Sequence, residues 1–192
     1  MITLAHIPSL LVGLRFAIAP LLLVDAFDRQ TTGWFIIGYV IAVLSDIFDG
    51  IIARRLGVST AQLRQADSWA DITLYLCIAA STWLVYPHVI LDFQWPLALA
   101  ISAQLLLFTI SLVKFKKFPS FHTYTAKIWG LTLLAATIGL FGFQYTTTLW
   151  LAIGLCLINS LEEIIMTLIL PEWHCDVLSI FHAIQLRRTL LT

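Results

Sequence analysis

Apolar residues dominate the chain in runs of membrane-crossing length, and the polar residues that interrupt those runs fall into a few tight groups. A helix needs about 20 residues to cross the hydrocarbon core. The runs divide into six such lengths, roughly residues 8–26, 34–55, 61–86, 96–113, 128–143 and 149–170. Pro8 suits the first turn of the first span, and Pro20 is expected to kink it. Gly57, Val58, Ser59 and Thr60 read as a helix stop followed by an N-cap for the third span. The last segment, Pro171 to Thr192, opens near Trp173, carries Arg187 and Arg188, and is expected to form an interfacial amphipathic helix. The predicted fold is therefore all-α. It is a polytopic membrane protein with six transmembrane helices around a cytoplasm-facing polar cavity and a C-terminal interfacial helix, residues 1–192 forming one domain.

Composition sharpens this picture. At 60% hydrophobic and 11% charged, the chain is too oily for a soluble domain. Formal net charge is zero and no basic run of the nucleic-acid-binding kind occurs, so no nucleic-acid partner is expected. Cys77, Cys156 and Cys175 have no metal-ligand spacing and read as reduced packing residues. The first span is expected to be retained rather than cleaved as a signal, since no basic segment precedes it and Arg15 interrupts its apolar core.

Basic residues also orient the spans. Arg54, Arg55, Arg64, Lys114, Lys116, Lys117, Lys127, Arg187 and Arg188 fall on the side that both termini share, and Arg29 falls opposite. Both termini are thus expected in the cytoplasm. Tryptophans Trp34, Trp95, Trp150 and Trp173 lie near the span ends and read as interfacial belt residues. Arg15 sits at membrane depth, where a charge either faces a polar interior or snorkels to a headgroup.

The candidate chemistry is concentrated between Ser45 and Asp71. Asp46 and Asp49 are three apart, and Asp67 and Asp71 four apart, so each pair projects from one helical face. Two such helices facing each other bring four carboxylates together. Crowded like charges repel, and a buried unpaired charge costs on the order of several kcal/mol. The cluster calls for cations, and an all-oxygen ligand set without Cys or His points to Mg²⁺ or Mn²⁺. Two such ions side by side would polarise a diphosphate and steady its departure. All four aspartates sit near one face of the membrane, which fits an enzyme better than a carrier with cation sites at several depths.

The run Asp46, Asp49, Gly50, Ala53, Arg54, Asp67 and Asp71 resembles the signature D-x2-D-G-x2-A-R-x8-G-x3-D-x3-D of the CDP-alcohol phosphotransferase (phosphatidyltransferase) family. It departs at one position, Leu63, where the family has glycine. The resemblance implies an integral membrane transferase of phospholipid synthesis. Such an enzyme moves a lipid phosphate from a CDP-linked lipid such as CDP-diacylglycerol to a small alcohol acceptor, with release of CMP. It implies that Asp46, Asp49, Asp67 and Asp71 ligate two divalent ions and that Asp71 also takes the acceptor's hydroxyl proton. Gly50, Ala53 and Arg54 would bind the nucleotide, a first-helix arginine such as Arg15 would look towards the active-site cavity, and the chain would form a homodimer. Leu63 allows three readings: a shifted nucleotide pose, a different donor head, or a non-catalytic relative that binds CDP-lipid.

For the acceptor, Lys127 and His122 at the mouth of the fifth span are the candidate ligands, and a basic pocket would suit glycerol 3-phosphate or another polar alcohol. Lys114, Lys116 and Lys117 read instead as headgroup-contacting markers of the cytoplasmic side. Asn159, Glu162 and Glu163 share one helical face and form either a second polar site or a group that reaches the interface.

Overall fold

A computed structural model describes residues 6–58, 60–121, 123–174 and 177–191. Ser59, His122 and Cys175 lie outside the described residues. The described residues form eight helices and no strands: α1 (Ile7–Asp25), α2 (Gly33–Leu56), α3 (Ala61–Val85), α4 (Pro87–Asp92), α5 (Gln94–Phe115), α6 (Tyr124–Phe143), α7 (Thr147–Ile169) and α8 (Ile180–Leu191). Six are long and apolar enough to cross a membrane, namely α1, α2, the Gln65–Val85 part of α3, α5, α6 and α7. These match the six expected spans to within a few residues. The segment after the third span is not a plain turn, since Pro87 opens the short helix α4 there. The expected C-terminal helix is confined to Ile180–Leu191, and α1 runs as one helix through Pro20.

The chain divides into two compact units, Met1–Ile90 and Leu91–Thr192. In the first, α1 packs along both α2 and α3. Its buried residues Pro8, Val12, Arg15, Ala19 and Leu22 recur at alternating intervals of four and three, a single inward stripe with Arg15 at its centre. On α2 the matching stripe is Phe35, Tyr39, Ala42, Ser45, Asp49 and Ala53. The small members of these stripes let two helices approach closely, as lipid-embedded helices require when packing, rather than the hydrophobic effect, drives association. At Gly38 the α1 side chains come close to the α2 backbone: a Cβ there would meet Leu22 Cδ2 at 3.0 Å.

In the second unit α7 is the hub, packing on α5, α6 and α8. Its inward face carries Cys156, Asn159, Ser160, Glu163, Met166 and Thr167. Gln104 on α5 donates to Ser160 Oγ at 3.1 Å. Lys114 donates to the Thr167 carbonyl at 2.9 Å and to the Leu168 carbonyl at 2.8 Å. A cation thus stands at the C-terminal end of α7, where the helix dipole favours it. This lysine therefore holds protein backbone as well as marking the end of its span. Lys117 lies over the Trp173 ring at 4.6 Å, and Trp173 Nε1 donates to the Phe118 carbonyl at 2.8 Å. Below them Phe121, Met166, Leu170, Val177 and Ala183 form a buried cluster that seats α8 on the end of α7.

The outward faces are apolar in both units, with Leu21, Leu76, Val113, Leu131 and Phe143 exposed. Outward apolar faces combined with inward polar residues on six long helices are the arrangement of a protein dissolved in lipid. Trp34, Trp95 and Trp150 are exposed, as belt residues are.

Candidate metal and substrate site

The site is built from α1, α2 and α3 within the first unit. Helix α2 ends in a Schellman-type turn. Gly57 takes φ 66° there, and the Val58 N–H reaches back to the Ala53 carbonyl at 3.1 Å. Thr60 then caps α3, its Oγ1 accepting from Leu63 N at 3.2 Å. This short reversal sets the end of α2 near the start of α3, and both helices pack on α1, which brings the aspartate pair late in α2 level with the pair early in α3.

All four carboxylates converge. Asp46, Asp49 and Asp67 each offer an oxygen within 4.8 Å of the others. At their centre stands Arg15, 0% exposed. Its Nη1 lies 3.1 Å from Asp46 Oδ1 and 3.0 Å from Asp67 Oδ1, and it also donates to Asp71 Oδ1, while Nη2 donates to Asp49 Oδ2. Of the two locations open to Arg15 from the sequence, the polar interior is the one it takes. The first helix is thus a wall of the box, between the two helices that carry the aspartates.

The electrostatics follow from the count of charges. Two unit charges 4 Å apart interact by about 4 kcal/mol at an effective dielectric near 20, so four gathered carboxylates need more than incidental compensation. Arg15 brings one formal positive charge against their four. An all-oxygen donor set with a surplus of negative charge fits hard divalent cations, and Asp46, Asp49 and Asp67 are spaced to share one. Asp49 is almost wholly buried, whereas the side chains of Asp46, Asp67 and Asp71 keep 42, 34 and 37% of their surface open. The box is therefore closed on the protein side and open on another.

The remaining signature residues surround it. Gly50 lies one residue beyond Asp49, and a Cβ there would meet Arg54 Nη1 at 3.3 Å, so the Arg54 guanidinium lies across the bare Cα. Ala53 is buried and Arg54 exposed. Leu63, half-buried, precedes Asp67 and Asp71 by four and eight residues. It shares their face of α3 and so borders the box on the side of the α2–α3 turn. Trp69, between the α3 aspartates, is exposed on another face. A cavity of about 410 Å³ lined by Arg29, Trp83, Pro87 and His88 opens at the other end of this unit, away from the aspartates.

The second unit holds the other polar candidates. Lys127 is exposed at the start of α6 with its ammonium 5.4 Å from the centre of the Tyr124 ring. His122 is outside the described residues. Asn159 and Glu163 are buried rather than reaching an interface. Asn159 Oδ1 accepts from the Thr123 hydroxyl at 2.9 Å, the single Thr125 hydroxyl proton is shared between Asn159 Oδ1 at 2.9 Å and Glu162, and Asn159 Nδ2 donates to Glu163 Oε1 at 3.2 Å. The two threonines in this network are not distinguishable by spacing alone, because they join α7 from a different segment.

A family model described as CDP-alcohol phosphatidyltransferase matches residues 5–173, from the start of α1 to just beyond the end of α7. No curated protein and no solved structure matches the chain at a significant level.

Proposed function

Since the chain belongs to the CDP-alcohol phosphatidyltransferase family of membrane enzymes of phospholipid synthesis, we propose that it transfers a phosphatidyl group from CDP-diacylglycerol, or a closely similar CDP-linked lipid, to a small polar alcohol. The observation that carries this reading is the convergence of Asp46, Asp49, Asp67 and Asp71 on one point at the junction of three helices.

Asp46, Asp49, Asp67 and Asp71 would hold two divalent ions, Mg²⁺ or Mn²⁺. When bound, these ions supply Lewis-acid polarisation of the diphosphate and charge stabilisation of the departing phosphate. The chain's own residues do the rest. An alcohol is a weak nucleophile at neutral pH, so a carboxylate within hydrogen-bond reach of its hydroxyl assists by taking the proton. Asp71, partly open and one turn further along α3 than Asp67, is assigned that role. As the acceptor oxygen bonds to the lipid phosphorus, its proton passes to Asp71, and the phosphoanhydride oxygen leaves with CMP. The nucleotide is assigned to the stretch of α2 formed by Gly50, Ala53 and Arg54, where the Arg54 guanidinium, lying over the bare Gly50 Cα on a long stem, would meet the nucleotide's negative charge.

The acceptor's own phosphate or polar group is assigned to Lys127 and His122, which makes glycerol 3-phosphate the first acceptor to test. The open side of the carboxylate box is assigned to the cytoplasm. This is in keeping with the basic residues on the side that bears the α2–α3 turn and with nucleotide-activated donors being available there.

The test is CMP release by the purified protein in detergent with Mn²⁺ or Mg²⁺, CDP-diacylglycerol and a panel of alcohols. Acceptor-dependent release that falls by two to four orders of magnitude in Asp71→Asn, a range of about 10²–10⁴ for loss of a general base, supports the assignment. CDP-diacylglycerol binding without CMP release for any acceptor would make the protein a CDP-lipid-binding relative instead.

A further inference from the structure

Arg15 is fully buried, and its contacts with all four aspartates come from only two nitrogens. Each terminal guanidinium nitrogen carries two N–H groups. At Nη1 those two are taken by Asp67 and Asp71, and Asp46 forms a third ion pair with the same nitrogen at 3.1 Å. Nη2 gives one of its two N–H groups to Asp49, and Nε, also buried, has no hydrogen-bond partner among the described residues. The guanidinium is thus placed by Coulomb attraction to the centre of negative charge, and its own directional bonding is incompletely met. Three of its four carboxylates are the set spaced to share a cation.

We infer that Arg15 is the resident counter-cation of the box and competes with divalent metal for the same carboxylates, so that this one side chain sets the metal affinity of the site. The inference rests on the metal-binding reading above and extends it to a residue outside the aspartate signature. Arginine keeps its charge at any working pH, so it cannot make room by losing a proton. A divalent ion held by Asp46, Asp49 and Asp67 would share these carboxylates with a like charge already at contact distance, so the Arg15 guanidinium would have to give up its central seat. Leaving the centre would give up the hydrogen bonds to Asp49, Asp67 and Asp71 together with the charge attraction, so the ion must outcompete both. Arg15 is accordingly a positioning residue: in its central seat it keeps the aspartates gathered, and it raises the metal concentration at which they are filled.

The experiment is Mn²⁺ binding to the full-length protein in detergent, without lipid substrate, followed by electron paramagnetic resonance of the free ion. Arg15→Gln is expected to bind Mn²⁺ at least tenfold more tightly than wild type, a change of about 1.4 kcal/mol. In EDTA the same variant is expected to unfold at lower temperature than wild type, and saturating Mn²⁺ to close most of that gap. A second variant, Arg15→Met, also removes the charge and leaves every carboxylate ligand in place. It too is expected to bind Mn²⁺ more tightly than wild type, and it serves if Arg15→Gln does not fold. Equal or weaker Mn²⁺ binding in both variants, with wild type binding normally, overturns the role of Arg15 and leaves the metal site standing. Absence of Mn²⁺ binding in all three proteins overturns both.

Discussion

Asn159 donates to Glu163 across one turn of α7 at 3.2 Å, and both side chains are more than nine-tenths buried. A carboxylate at this depth is retained only where its neighbours satisfy it. Asn159 does this while also accepting from Thr123 and Thr125, which ties α7 to the segment that opens α6. Asn159→Leu removes both connections, and the expected loss is roughly 1–3 kcal/mol, the cost of leaving buried polar groups unmatched. Glu163→Gln keeps the acceptor and removes the charge, so its stability should equal or exceed that of wild type. Thermal unfolding in detergent compares them. If Glu163→Gln falls as far as Asn159→Leu, the charge of Glu163 is needed for more than structure.

Removal of divalent metal should abolish CMP release. Because the donor set is all oxygen, activity after EDTA treatment is expected to return with Mg²⁺ or Mn²⁺. Asp49→Asn is expected to require a much higher metal concentration for half-maximal release, since Asp49 is the most buried of the carboxylates and belongs to the gathered trio. Unchanged metal dependence in that variant would place the ion elsewhere.

Leu63 stands on the aspartate-bearing face of α3, in the first turn and bordering the box. Leu63→Gly should lower the KM for CDP-diacylglycerol if the nucleotide packs against this face as it does against glycine. It should also cost stability, about 1 kcal/mol for glycine within a helix. A raised donor KM would show that the nucleotide lies differently here and uses the leucine.

Gly57 is expected to tolerate asparagine better than alanine. A Cβ there meets nothing within 4 Å, so no steric clash opposes either substitution. The cost is conformational, because Gly57 holds the left-handed region at φ 66°. That region penalises an ordinary L-residue by roughly 1–2 kcal/mol, and asparagine by less. The measurement is again thermal unfolding. Equal losses for Gly57→Ala and Gly57→Asn would mean that the turn relaxes away from the left-handed conformation.

Six membrane helices were legible in the chain because long apolar runs have few alternatives: a backbone in lipid must satisfy itself, and a helix does so locally. The aspartate pairs were equally legible, since helical geometry alone puts residues three or four apart on one face. The turn between them was readable from Gly57 and Thr60, whose preferences are properties of single residues. The partner of the aspartates was not. Arg15 could as well have reached a headgroup, and the choice depended on α1 packing along both α2 and α3, a contact between segments far apart in the chain. For the same reason the short helix α4, the backbone contacts of Lys114 and the threonines that hold Asn159 emerged only in three dimensions. Spacing along one helix states which side chains share a face. Which helix meets that face is decided by packing between distant segments, and there the small-residue stripes of α1 and α2 brought a buried arginine into the middle of four carboxylates.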